Sequence, residues 1–272
     1  MRRISVVILL FFGIAIAGCG GDGGSGDSHT PMGTISVYTL DATDDTPVND
    51  ASITVYDSSN ILVTRGLTVD GNFECLLSPG TYIIMVAAQD YQPVPPSNQN
   101  AVPFEIIDGK TTIQNIALKE HPDAGTTGHI SGYTLTPVPD LSGVSGVLVV
   151  AKDEALGQYA SGISGPDGDY VIYNVVLGNY TLEAYLSGYR VTSQPVTVDV
   201  VAADGYNADD IEMEEHANAD LYGKVTFLAV TNGVVDITLV HPDTLDTIPG
   251  LSTQNQASEL TYQLSGLPMN RI

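Results

Sequence analysis

The 272-residue sequence has no tryptophan, five phenylalanines and two cysteines, Cys19 and Cys75. Basic residues are scarce as well: nine lysines and arginines stand against 32 aspartates and glutamates, a net charge of −23. Each scarcity excludes something. A chain this acidic is repelled by phosphate backbones and anionic headgroups, so nucleic-acid binding is set aside. The histidines at 29, 121, 129, 216 and 241 show no His-x-x-Glu or His-Glu-x-x-His spacing, which leaves zinc-peptidase chemistry without a ligand set. There is no Gly-x-Ser-x-Gly elbow, since Gly162-Ile163-Ser164-Gly165 is one position out of register. No catalytic residue is assigned, and the chain is read as non-enzymatic.

What is present begins with a targeting segment over residues 1–18. Arg2-Arg3 supply a positive start, Ile4 to Ile16 an apolar run, and Ala17-Gly18 a small-residue cleavage region. The apolar run falls short of the roughly 20 residues needed to cross a bilayer. Ile16-Ala17-Gly18-Cys19 resembles the lipobox of bacterial lipoproteins. That resemblance implies acylation of Cys19 as the mature N-terminus and a firm membrane anchor. Cys75 is then the remaining thiol, with no partner for an intrachain disulfide. Gly20, standing where an aspartate would mark inner-membrane retention in such lipoproteins, implies the outer membrane. Residues 19–32 follow as a Gly/Ser/Asp tether with a coil reach of roughly 20 Å.

Beyond the tether the sequence repeats itself. Asp70–Tyr91, DGNFECLLSPGTYIIMVAAQDY, returns as Asp167–Tyr189, DGDYVIYNVVLGNYTLEAYLSGY. Asp-Gly ahead of alternating apolar residues predicts a tight turn feeding a strand. Tyr82/Ile84 and Tyr180/Leu182 then alternate as the inward face of the next strand. Ile35–Leu40 matches Ile130–Leu135, Val48–Asp57 matches Val144–Asp153, and one extra residue enters between Tyr170 and Tyr180. These matches predict two duplicated β-domains, 33–119 and 128–214, with short linkers after each. A third copy starts near Asp220 and covers 220–272. It matches the earlier copies only as far as Pro268, with no counterpart of Tyr180 and its neighbouring strands. A sandwich lacking half a sheet leaves strand edges uncovered, which predicts a longer natural protein, a truncated frame, or a strand borrowed from a partner.

The aligned copies resemble the carboxypeptidase regulatory-like domain. Its pattern runs Val-x-x-Ala-x-Ile-x-Val, Asp-Gly-x-Phe, Pro-Gly-x-Tyr and a later Tyr. The resemblance implies an all-β fold: tandem seven-stranded antiparallel sandwiches of transthyretin-like type, the third incomplete. It also implies an accessory rather than a catalytic role, as stalk, surface module or carbohydrate-associated module. Val37 departs from the pattern where Gly132 and Gly223 stand in the other copies. Some relatives carry Lys–Asn isopeptide crosslinks set by a glutamate. Here the first strands hold no lysine, and Glu183 points away from the inward Tyr180/Leu182 face.

Candidate sites are few. Cys75 falls on an inward face, as a core thiol. Asp41, Asp44, Asp45 and Asp50 crowd one loop, and Asp167 and Asp169 another. Carboxylate oxygens suit calcium, although no EF-hand pattern occurs and aspartate favours turns in any case. Tyr91, Tyr185 and Tyr189 are candidates for sugar stacking, with Tyr91 and Tyr189 equally suited to a structural corner. The leading expectation is a lipid-anchored spacer or interaction module of the cell envelope, with a protein or polysaccharide partner. The alternatives are a carbohydrate-binding surface module and the accessory N-terminal part of a longer enzyme.

Overall fold

The computed structural model describes residues 30–58, 61–95, 103–216, 219–224, 234–256 and 261–267. The leader, Cys19 and nearly all of the tether lie outside the described residues, as do 268–272. Every regular element among those described is a strand. The first sandwich comprises β1 (Gly33–Asp41), β2 (Ser52–Asp57), β3 (Leu62–Leu67), β4 (Asn72–Leu77), β5 (Gly80–Ala87), β6 (Phe104–Ile106) and β7 (Thr111–Leu118). They form two sheets, β4-β1-β7 and β3-β2-β5-β6. The alternation in the sequence decides the faces: Tyr82, Ile84 and Val86 of β5 are buried, and their neighbours are not. Ile35 and Val37 from one sheet meet Ile53 and Val55 from the other in a common core. Asp70 and Gly71 both take positive φ, at 52° and 69°. Val69 and Asn72 exchange two 2.9 Å backbone hydrogen bonds across them, the type I′ turn that Asp-Gly favours.

The second sandwich repeats this plan with β8 (Gly128–Leu135), β9 (Leu148–Asp153), β10 (Gln158–Ile163), β11 (Asp169–Val175), β12 (Gly178–Tyr185), β13 (Tyr189–Val191), β14 (Val196–Val200), β15 (Gly205–Asn207) and β16 (Ile211–Glu215). One sheet runs β10-β9-β12-β14; in the other, β11-β8-β16-β13, β15 also pairs with β8. It therefore has nine strands, two of them three-residue additions. Its Asp-Gly turn also differs. Gly168 alone of the pair has positive φ, and Pro166 widens the connection to a three-residue loop closed between Gly165 and Asp169.

The all-β fold is as the sequence implies, and most pairings are antiparallel. The ladders that join each sandwich's first strand to its last are not. β1 lies parallel to β7 from Thr34↔Thr111 to Asp41↔Leu118, and β8 lies parallel to β15 and β16. The whole domain separates these first and last strands, and a connection that long can bring the chain back in the same direction.

The third unit has β17 (Ala219–Lys224), β18 (Val234–Val240), β19 (Thr247–Gln256) and β20 (Thr261–Leu267), paired β17-β20 and β18-β19. These pairs are the counterparts of β1-β4 and β2-β3. The register also accounts for the Val37 departure. Gly132 pairs with Tyr170 and Gly223 with Tyr262, whereas Val37 pairs with Phe73. A methyl group on Gly132 would stand 2.5 Å from the Tyr170 hydroxyl, so the buried tyrosine ring takes the space that a side chain would need. In the first sandwich Phe73 leans instead over Gly66 of β3, which leaves room for valine.

Candidate functional site

Strand β2 is buried on both faces from Ser52 to Tyr56. Ile53 and Val55 point into the core of their own sandwich, so Ser52, Thr54 and Tyr56 point out of it. In an isolated sandwich that outer face would meet water. Here it meets the second sandwich and the third unit, and the three together line a partly open cavity of about 450 Å³. Its walls include Ser52, Thr54 and Tyr56, then Tyr159 and Ser161 of β10, Tyr173 of β11, and Asp243 and Asp246 between β18 and β19.

Two sets of contacts hold the first wall to the second. Arg65 of β3 donates through Nε to Ser52 Oγ at 2.9 Å and through Nη1 to the Asp169 carboxylate at 2.6 Å. The Arg65 side chain is almost wholly buried and Asp169 is half open. Arg65 Nη2 is buried with no hydrogen-bond partner among the described residues. The second set grows from the extra residue between Tyr170 and Tyr180. It is absorbed as a β-bulge between Ile172 and Val175, with Asn174 at φ 56°. The bulge turns Asn174 onto the first sandwich. Its amide donates to Ala88 O at 3.1 Å and Tyr91 O at 2.9 Å, and its carbonyl accepts from Asp90 N at 2.8 Å. Tyr173 beside it donates to Asp50 O at 2.7 Å.

The third unit is seated mainly by apolar contact. Leu148 and Val150, on the outer face of β9, pack with Ile248 and Leu251 in a cluster of their own. Ser161 donates a hydrogen bond to Asp246, and Ser187 N donates to Pro249 O at 3.1 Å. The charges around the cavity oppose one another. Burial pushes the Tyr56 phenol above its ordinary range and Asp246 pushes it further, whereas Arg65 pulls it back. Burial pushes Tyr173 up to about 12.

The residues singled out from the sequence are placed as follows. Asp41 accepts from Thr43 N at 2.7 Å and from the Tyr91 hydroxyl at 2.9 Å, and these bonds, Thr43 first, lower its pKa. Asp44 accepts from Thr46 N and Oγ1 at 3.0 and 2.7 Å, and Asp45 occupies the same turn at φ 60°. Asp167 lies in the loop of the second sandwich, and Asp169 is the partner of Arg65. Among the described residues no three His, Cys, Asp or Glu side chains converge as a metal-ligand set. Cys75 is only partly buried, packed against its core from an edge strand, with burial raising the thiol to about 11. Tyr91 is the corner residue bonded to Asp41, and its equivalent Tyr189 reaches Glu215 at 3.4 Å. Tyr185 donates to Glu183 and meets the His241 ring edge-on at 5.3 Å. Glu183 faces outward as expected, but onto the third unit, 3.8 Å from His241. Each of these three tyrosines is thus engaged within the protein.

The cavity residues carry no motif. Ser52, Thr54 and Tyr56 read as a polar outer face because the surface that covers them comes from other units. The extra residue near Tyr173 is the one signal that bears on the junction.

No family model matches the chain, and no curated protein is similar to it. Among solved structures, the TIE protein of Bacillus anthracis aligns over 86% of this chain and 44% of its own, at 13% identity and a TM-score of 0.28. A streptococcal ancillary pilin aligns over 67% and 63%, at 13% identity and a TM-score of 0.29. A leucine-rich repeat protein from Bacteroides thetaiotaomicron aligns over 67% and 26%, at 12% identity and a TM-score of 0.33. The chain thus spans less than two thirds of each of these proteins, and superpositions this loose transfer no function.

Proposed function

We propose that this chain is a non-enzymatic interaction module of the cell envelope, held to the outer membrane by acylated Cys19. Its sandwiches are fixed against one another to make one composite surface. The observation that carries the reading is the covering of the outer face of β2 by two other units. A spacer gains length by leaving such faces in water. This chain instead uses a buried arginine and a bulged asparagine to close them off. The Ile16–Cys19 motif and the tether behind it support the anchored placement.

Spin labels on the first and second sandwiches, placed away from the junction on the full chain, test the composite arrangement by pulsed electron resonance. A single narrow distance distribution is expected, and it should broaden when Arg65 and Asn174 are both replaced by glycine. A broad distribution in the unmodified protein would return the reading to a flexible string of domains. Metabolic labelling with a radioactive fatty acid tests the anchor separately: label should enter the wild type and not Cys19→Ala.

A further inference from the structure

The partly open cavity where the three units meet is the strongest feature outside any sequence motif. Its volume, about 450 Å³, lies within the range of roughly 300–1,000 Å³ that small-molecule sites occupy. Its walls bring together three tyrosines and two carboxylates. Tyr56 comes from β2, Tyr159 from β10 and Tyr173 from β11, and Asp243 and Asp246 come from the connection between β18 and β19. No lysine or arginine among the described residues lines it. His121, the one imidazole in the lining, accepts through Nδ1 from the Asp123 amide at 3.2 Å. Tyr56 is 7% exposed, and its hydroxyl forms no hydrogen bond among the described residues. The surface that it keeps lies on this cavity, so its hydroxyl is left to water or to a ligand.

The field in the cavity is negative. Tyr56 senses it, since Asp246 pushes its phenol up more than Arg65 pulls it down. Arg65 is no counter-ion here, because it stands outside the lining and its Nη1 is bonded to Asp169 at 2.6 Å. Asp246 accepts from the neutral Ser161 hydroxyl, which leaves its charge uncompensated. Attraction for a cation grows as bulk water is excluded, and anions are disfavoured by the same rule. A bare metal ion is a poor fit. Calcium takes about six to eight oxygen ligands, and no three His, Cys, Asp or Glu side chains among the described residues converge to begin such a set. Strand addition by a peptide at β2 is blocked, because β2 already pairs with β3 on one side and β5 on the other. An organic ammonium suits both parts of the wall. Its N–H groups donate to carboxylates and hydroxyls, and its charge and methylene stem are favoured beside aromatic rings.

We propose that the cavity binds a small aliphatic amine, its ammonium group held by Asp246 and Asp243 and its stem laid against Tyr56, Tyr159 and Tyr173. The inference rests on the composite arrangement of the three units and names the ligand class of the surface they form. Because all three contribute walls, the bound amine also tightens their docking.

Saturation-transfer NMR on the full chain, with the tyrosine ring protons irradiated, tests this. The probes are putrescine, cadaverine and spermidine, with glucose, citrate and magnesium ion as comparators, the ion read by its displacement of the amine. At least one amine should show saturable transfer to its methylene protons at about 1 mM or below, and glucose and citrate none. Asp246→Asn and Asp243→Asn should each weaken binding about fivefold or more. Asp243 is exposed, so its replacement should leave the circular dichroism spectrum unchanged. Glu105→Gln with Asp209→Asn removes two exposed charges outside the lining and should leave the affinity within about twofold. A flat response to every amine overturns the proposal. So does equal weakening by the remote pair, which would reduce the effect to the acidity of the whole chain. Transfer to glucose or citrate matching that to the amines, or displacement of the amine by equimolar magnesium ion, overturns it as well. A flat response with a narrow distance between the sandwiches leaves the interaction-module reading standing; a broad distance distribution removes both.

Discussion

Replacing Asn174 tests the junction between the sandwiches more sharply than any core substitution. Its side chain makes three hydrogen bonds to the other sandwich: two donated, to Ala88 O and Tyr91 O, and one accepted from Asp90 N. A partly buried hydrogen bond contributes about 1 kcal/mol net, so Asn174→Gly should cost about 3 kcal/mol while keeping the left-handed backbone accessible. Asn174→Ala loses the same bonds and must also hold φ 56°, a region where an ordinary L-residue is strained by about 1 kcal/mol or more. Alanine should therefore be the worse substitution, reversing the usual preference for alanine over glycine in regular structure. Urea denaturation followed by tyrosine fluorescence measures both variants. The expected order is wild type, then glycine about 3 kcal/mol below, then alanine about 4. Two variants within about 0.5 kcal/mol of wild type would show that these bonds do not hold the sandwiches together. Alanine above glycine would show that the backbone at 174 is not under the constraint described.

Further predictions follow from single residues. Tyr170 is buried, and its hydroxyl has no hydrogen-bond partner among the described residues, so Tyr170→Phe should leave stability unchanged or raise it by about 1 kcal/mol in thermal melts. A fall of more than about 1 kcal/mol would mean that the hydroxyl has a partner, for instance an ordered water. Asp41 is held below its ordinary 3.8 by Thr43 and the Tyr91 hydroxyl. Its contribution to stability is therefore complete above about 4 and is lost as pH falls through the depressed folded value. Tyr91→Phe should move the Asp41 NMR titration upward. Burial raises Cys75 from 9.0 to about 11, so the folded protein favours the neutral thiol; this contribution is present below 9 and is lost as pH rises towards 11. A disulfide reagent should modify it slowly at pH 8 in native protein and promptly in urea, and equal rates would refute the burial.

The legible parts of the structure were those set by local chemistry. Asp70-Gly71 announces its turn because so few residue pairs tolerate two positive φ angles in succession. Tyr82 and Ile84 announce their face because a strand's period is two. Gly132 was visible as a difference between copies, but its reason lies in Tyr170 across a strand pair thirty-eight residues away in sequence. The parallel β1·β7 ladder had no local signature at all, since nothing in either strand encodes the direction of its neighbour. The cavity was illegible for a similar reason. Ser52, Thr54 and Tyr56 satisfy the rule for a solvent face, and only the arrival of two other units changes what that face meets. The extra residue near Tyr173 was countable in the sequence. Its use was not, because Asn174 finds its partners in a different domain.

The direction of the closing strand has a mechanical consequence. Because β7 runs alongside β1 in the same sense, the chain enters the first sandwich at the Gly33 end and leaves it at the opposite, Leu118 end. Tension along the chain then pulls the two strands past each other in shear, and the ladder from Thr34↔Thr111 to Asp41↔Leu118 resists as one block rather than unzipping bond by bond. In the second sandwich the same clamp is split. β15 meets β8 over Gly205–Asn207 and β16 only at Ile211 and Glu212, with a gap between them. Under load the second sandwich yields before the first.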